Sequence, residues 1–211
     1  MNTPSASTAE SVRSYVMTVL PGEPFSSSEF MTLGTRAAVD QALSRLTKEK
    51  VINRVTRGVY VKSVVSKFVG TVTPEPFKIA QAVARATGAK VSVNGAEAAR
   101  GFSLSTQMST QSLFLTTGPS RVINVGKSRI LLRHTSERKL GLAGTSAGMA
   151  LSALYYLGKE EVTPEVVGAI AKKLTNSEFE ELRTSTKLMP SWMSDAIYQY
   201  AKPEPKRELV A

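Results

Sequence analysis

Cysteine is missing from this 211-residue sequence, histidine occurs once, at His134, and aspartate only twice, at Asp40 and Asp195. Without cysteine there is no disulfide framework and no thiolate metal site. A lone histidine builds no histidine-based zinc centre, so no metal and no cofactor is expected. Long apolar runs are missing too: nothing approaches the roughly 18 consecutive apolar residues of a membrane span. The opening MNTPSASTAESVRS has neither the basic nor the apolar stretch of a secretion signal. The expectation is a soluble, cytoplasmic protein. Negative charge is scarce as well. Lysine and arginine number 27 against 17 acidic residues, a formal net charge of +10, and the isoelectric point is near 9.9. Such a balance favours a polyanionic partner: nucleic acid, an anionic surface or an acidic protein.

Ser7-Thr8-Ala9-Glu10 has the form of a capping box, and Val12, Tyr15, Val16, Val19 and Leu20 follow at helical spacing until Pro21-Gly22. Ser26-Ser27-Ser28-Glu29 is a second capping box and predicts a short helix through Phe30, Met31 and Leu33, ended by Gly34. Thr35 then caps a third helix over residues 36–50, which buries Val39, Leu43 and Leu46. Residues 51–55 and 59–62 read as two strands joined by Thr56-Arg57-Gly58. The stretch Gly70 to Pro76, with its glycine and prolines, marks a boundary. Beyond it the pattern predicts a helix at 77–87, a strand at 90–93 and a helical turn at 95–100. Three strands follow at 112–116, 121–125 and 129–134, then helices at 146–157, 164–174, 177–184 and 191–201. The fold class is α+β: an N-terminal winged helix-turn-helix over residues 1–70, then a mixed α+β domain over 71–211 with a helical C-terminal part.

The winged-helix reading rests on three helices followed by a β-hairpin, the order in which a third helix enters the major groove and the hairpin flanks it. With Val39, Leu43 and Leu46 turned inward, the far face of that helix carries Ala37, Gln41, Ser44, Arg45 and Lys48, with Thr35 and Arg36 at its start. Gln41 suits an adenine edge, Arg45 a guanine or a phosphate, and Ser44 either. Arg54 and Arg57 sit on the hairpin, where a wing meets phosphates or the minor groove. Any exposed helix face is polar, so composition of the face alone proves little. Charge adds to it: residues 36–67 hold eight basic residues against two acidic ones. Double-stranded DNA is therefore the expected partner. The competing reading is a winged helix that binds protein only.

Ala42-Leu43-Ser44-Arg45-Leu46, Val51-Ile52 and the run Arg54 to Tyr60 resemble the winged-helix segment of AbiEi-type antitoxins of type IV toxin–antitoxin (abortive infection) systems. Asn94 to Ala99, Gly101, Leu104-Ser105-Thr106-Gln107 and Leu115 to Ser120 are similar to the second domain of the short members of this group. The resemblance covers roughly residues 8–135. It implies a phage-defence antitoxin that represses its own operon through the winged helix and counteracts a nucleotidyltransferase-type toxin. In such proteins the second domain is needed for antitoxin action.

Motifs that would suggest an enzyme read better as structure. Val125-Gly126-Lys127-Ser128 ends like a phosphate-binding loop, but Arg121 stands where the leading glycine belongs, so a tight turn between strands is expected. The glycine-rich run Gly141 to Gly148 opens a helix and reads as close packing, with anion binding the alternative. Glu137-Arg138-Lys139 has the form found in some nucleases, but only Glu97 offers a distant upstream partner. No catalytic residues are assigned. A second basic face is expected on the later strands from Arg121, Lys127, Arg129 and Arg133, facing DNA, RNA or an acidic patch on the toxin. The alternatives are a stand-alone winged-helix regulator without a toxin and a nucleic-acid-processing enzyme built on Glu97, Glu137 and Lys139.

Overall fold

A computed structural model describes residues 7–63, 65–66, 70–71, 74–106, 111–126 and 128–201. The folded chain forms two compact units: Met1–Val91 with Gln111–His134, and Ser92–Thr110 with Thr135–Ala211.

The first unit opens with helix α1 (Thr8–Thr18), whose start is the expected capping box: the Glu10 N–H donates to the Ser7 hydroxyl, and the Ser7 N–H donates to the Glu10 carboxylate at 2.9 Å. The bond from the Ser7 N–H, joined by one from the Ser7 hydroxyl at 3.0 Å, holds the Glu10 carboxyl below its usual range. Val19 is extended, so the helix stops short of Leu20, which is exposed. Pro21 lies two residues beyond this stop. The next segment differs from the expected short helix. Strand β1 (Pro24–Ser26) leads into a single 3-10 turn, Ser27–Phe30, although the Ser26/Glu29 capping box is present. The cause is tertiary. β1 must stay extended to pair with a later strand, and Phe25 and Phe30 must both reach the core, where their rings meet edge to face at 5.6 Å.

Helix α2 (Arg36–Lys48) is capped by the Thr35 hydroxyl and buries Val39, Ala42, Leu43 and Leu46. Together with Val12 and Val16 of α1, Phe25, Phe30, Ile52 and Tyr60, these side chains form one core. α2 ends earlier than the expected residue 50. Lys50 takes a left-handed conformation at φ +57, the Val51 N–H donates to the Leu46 carbonyl at 3.0 Å, and the Lys50 N–H to Thr47 at 3.1 Å. Strands β2 (Ile52–Thr56) and β3 (Val59–Lys62) then form the hairpin, and the sheet order is β1-β3-β2. Pairing slips between Arg54 and Thr56, a bulge that re-aims the strand. Gly58, at φ +76, makes the turn, and its carbonyl accepts the Ser27 N–H at 2.9 Å.

β4 (Val65–Ser66) and β5 (Gly70–Thr71) pair as a small antiparallel ribbon. Helix α3 (Pro76–Arg85) then buries Ile79, Ala80, Ala82, Val83 and Ala84. It packs on β1 and β3 through one side and on the second sheet through another. That second sheet has the order β6-β7-β9-β8, from β6 (Val91–Val93), β7 (Ser112–Thr116), β8 (Arg121–Val125) and β9 (Ser128–His134). β7 and β9 run parallel, and β8 pairs antiparallel with β9. Phe114, Ile123, Ile130 and Leu132 are buried, and the Phe77 ring meets Phe114 at 5.2 Å. The domain boundary was expected between residues 70 and 71. The units of the folded chain divide differently because α3 returns to β1, where Lys78 pairs with Glu23 at 2.7 Å and Arg85 donates to the Pro24 carbonyl.

The second unit is helical: α4 (Gly95–Gly101), a 3-10 turn at Glu137–Leu140, α5 (Ser146–Leu157), α6 (Pro164–Ala171), α7 (Asn176–Thr184) and α8 (Ser191–Ala201). α5 is the centre, with Ala147, Ala150, Leu151, Ser152, Ala153 and Leu154 all buried. α4 lies close against it because Gly95 has no Cβ to meet the Ser152 carbonyl and Tyr156. Among the described residues, no helix is long and apolar enough to cross a membrane.

The Lys50 conformation yields a prediction. A left-handed residue other than glycine costs roughly 1–2 kcal/mol, and glycine pays part of that back as unfolded-chain entropy. Lys50→Gly should therefore raise stability by about 0.5–1 kcal/mol, seen as a higher Tm, whereas Lys50→Val should lower it. A lower Tm for the glycine variant would mean that the lysine side chain itself stabilises the fold.

Candidate nucleic-acid interface

α2 carries two chemically distinct faces because its apolar side chains recur at helical spacing. With Val39, Ala42, Leu43 and Leu46 buried, Thr35, Arg36, Ala37, Gln41, Ser44, Arg45 and Lys48 are all exposed. Among the described residues, the side chains of Gln41, Ser44, Arg45 and Lys48 make no hydrogen bond or ion pair. Thr35 is committed locally, since its hydroxyl accepts the Ala38 N–H at 3.3 Å. The flanks of the face are neutralised. Arg36 pairs with Asp40 at 3.0 Å on one side, and Arg13 of α1 pairs with Glu49 at 2.7 Å on the other. The unpaired donors therefore run from the middle of the helix to its C-terminal end.

On the hairpin, Arg54 and Arg57 are exposed. Arg54 Nε donates only a long bond, 3.4 Å, to the Thr56 carbonyl. Arg57 occupies the turn itself and lines a cleft with Arg36, Gly58 and the serines 26–28.

The expected second basic face is split by the structure. Arg121 pairs across the sheet with Leu132, and Asn124 pairs with Arg129. Directly opposed residues share a face, so Arg121 lies on the side of Leu132, Ile130 and Ile123, the side that is buried. Arg129 and Arg133 lie on the opposite side, with Leu131, Val122 and Asn124. The cause is the two-residue turn between Val125 and Ser128, which pairs odd-numbered positions with even ones. Lys127 lies outside the described residues. Arg121, at the start of β8, instead lines the cleft that holds Arg57 and Arg36. Sequence reading missed that association, and the parity of the turn was the one signal that could have separated Arg121 from the others.

Residues weighed for other chemistry are engaged elsewhere. Glu97 forms an ion pair with Arg100, one helical turn on, and the hydrogen bond from Arg100 holds its carboxyl below the usual range, against the opposing effect of burial. His134 contacts the Gly118 carbonyl through Nδ1 at 3.0 Å, and its N–H donates to the Ser120 hydroxyl at 2.8 Å. Among the described residues, no three His, Cys, Asp or Glu side chains gather to hold a metal ion. Gly126, at φ +56, turns the chain between β8 and β9. At Gly148 an added Cβ would collide with the Leu142 carbonyl, and the Gly148 N–H is already taken by the Thr145 hydroxyl at 3.0 Å. Close packing accounts for that glycine.

The chain belongs to the Family of unknown function (DUF6088), whose model matches residues 12–182. No curated protein matches the chain, and no solved structure does.

Gly148→Ala should cost about 1–3 kcal/mol, the usual penalty for overpacking, read as a lower Tm in thermal melts. An unchanged Tm would mean that the 142–145 backbone yields freely and that the glycine serves some other purpose.

Proposed function

We propose that this member of the family is a DNA-binding protein of the winged-helix type and the antitoxin of a toxin–antitoxin pair. The observation that carries the DNA reading is the clean division of α2, with its apolar stripe in the core and Gln41, Ser44, Arg45 and Lys48 exposed and unpaired. The surrounding order supports it: α1, β1, a helical turn, α2, then a hairpin whose second strand pairs with β1. In this reading α2 enters the major groove. Gln41 and Arg45 meet base edges, Lys48 meets phosphate, and Arg54 and Arg57 on the wing meet the flanking backbone. The protein works in the cytoplasm, on its own operator.

The antitoxin half of the proposal rests on the resemblance of residues 8–135 to AbiEi-type antitoxins. It is supported by how much of the chain lies beyond the hairpin: a second sheet and a helical unit exceed what a simple operator reader needs. The toxin would be of the nucleotidyltransferase class. Arg129 and Arg133, exposed with Leu131 between them on one side of β9, are the surface proposed to meet an acidic patch of that toxin or its RNA. A stand-alone regulator without a toxin is the second reading, and the neighbouring gene discriminates the two.

Gel-shift titrations test the DNA reading. Arg54→Ala and Arg57→Ala should weaken binding to specific and random duplexes alike, each lowering the log–log salt slope by about 0.9 if it removes one phosphate contact. Gln41→Ala should instead cost about 1–3 kcal/mol at one operator position and relax the base preference there. Unchanged affinity in all three variants would remove the DNA surface from α2 and the hairpin.

Cell rescue tests the antitoxin reading. Arg129→Glu combined with Arg133→Glu should leave the protein folded, with its Tm retained, but abolish protection of cells that express the neighbouring toxin. Full protection by the folded double variant would exclude this side of the sheet.

A further inference from the structure

Arg36, Arg57 and Arg121 come from three widely separated segments, yet they line one cleft with Ser26, Ser27, Ser28 and Thr87. Like charges held together repel, and the folded chain offsets little of this. Asp40 engages Arg36 through Nε at 3.0 Å. Among the described residues, Arg57 and Arg121 have no ion-pair or hydrogen-bond partner. Glu29, on the adjoining turn, accepts the Ser26 N–H at 2.9 Å, lies 3.9 Å from Arg85, and does not line the cleft. An anion is what the cluster lacks.

The size of the cleft narrows the class. Its volume is about 210 Å³, smaller than the roughly 300–1,000 Å³ of pockets that enclose whole small molecules. That room suits one tetrahedral group. Guanidinium forks bind phosphate through paired N–H donors. At the wall, the Ser26 and Ser28 hydroxyls are bonded to each other at 2.9 Å and the Thr87 hydroxyl donates to the Ala84 carbonyl at 3.1 Å, so the arginines carry the contact.

We infer that this cleft is a phosphate-binding site, in which Arg121 of the second sheet completes a clamp with Arg57 of the hairpin and Arg36 of α2. The DNA reading bears only on the source of the phosphate. If duplex DNA lies along α2, the group is a backbone phosphodiester beside the wing, and the DNA contact extends to residue 121. Otherwise the source is a free phosphate.

The experiment uses the full chain as wild type, Arg121→Gln and Arg121→Glu. In duplex titrations over several salt concentrations, Arg121→Gln is expected to lower the log–log slope by about 0.9 without altering base preference, and Arg121→Glu to weaken binding further. In thermal melts, inorganic phosphate is compared with chloride at equal ionic strength. A rise in Tm for wild type that is lost in Arg121→Gln assigns the site to free phosphate. Either result supports the clamp and identifies its source. A folded Arg121→Gln protein that keeps both the salt slope and the phosphate response of wild type overturns it. If wild type binds no duplex at all, the DNA reading fails by itself, and the phosphate melts still decide the clamp. Should Arg121→Gln melt abnormally in chloride, the phosphate melts of Arg57→Gln carry the test, because its salt slope falls with the wing contact alone.

Discussion

Helix α3 is held between two sheets, and the geometry of its unit depends on that. Ile79, Ala80, Ala82, Val83 and Ala84 are buried along a helix of ten residues, a wider apolar surface than one neighbour requires. Alanine allows two sheets to approach one helix closely, because a methyl group adds little thickness and loses no rotamer entropy. One side meets β1 and β3, the other β7 and β9. The edge strand β8 thereby comes near the edge strand β2 of the hairpin. Arg121 reaches the hairpin turn for the same reason.

The hairpin is anchored as well as covered. The Ser27 N–H reaches the Gly58 carbonyl, tying the turn to the 3-10 segment that stands where a second helix was expected. That segment is short because Phe25, just before it, and Phe30, its last residue, share the core with Tyr60 and Leu43. Shortening the helix lets β1 join the sheet. With the hairpin tied down beside α2, a ligand of the proposed kind that spans both would need little further ordering of the chain.

The helical unit follows a different logic. α5 is apolar on most sides and so must be surrounded, and its neighbours approach through residues without bulk: Gly95, Ala98 and Ala99 on α4. The polar groups there serve the fold. Arg138 donates to the Met189 carbonyl, the Tyr155 hydroxyl donates to the Leu188 carbonyl at 2.6 Å, and Lys139 lies over the Tyr155 ring at 5.0 Å. The Glu137-Arg138-Lys139 run that looked like nuclease chemistry is thus partly spent on holding a 3-10 turn against Met189 and Tyr155.

The sequence by itself determined what is local. Capping boxes, helical spacing and a glycine between short β runs placed α1, α2, the hairpin and most later elements within a few residues, because those signals act over one turn of chain. They also determined which residues of α2 point outward, since a stripe of Val39, Leu43 and Leu46 leaves only one face for the core. What tertiary structure decided is everything that depends on a distant partner. β1 is a strand only because β3 lies beside it. The capping box at Ser26 opens one turn and no helix, because Phe25 and Phe30 are needed on the same side. Arg121 stands apart from Arg129 and Arg133 because a two-residue turn sets the pairing of β8 with β9, and it joins Arg57 because α3 draws two sheets together. Pairing and packing link residues that no window of the sequence contains.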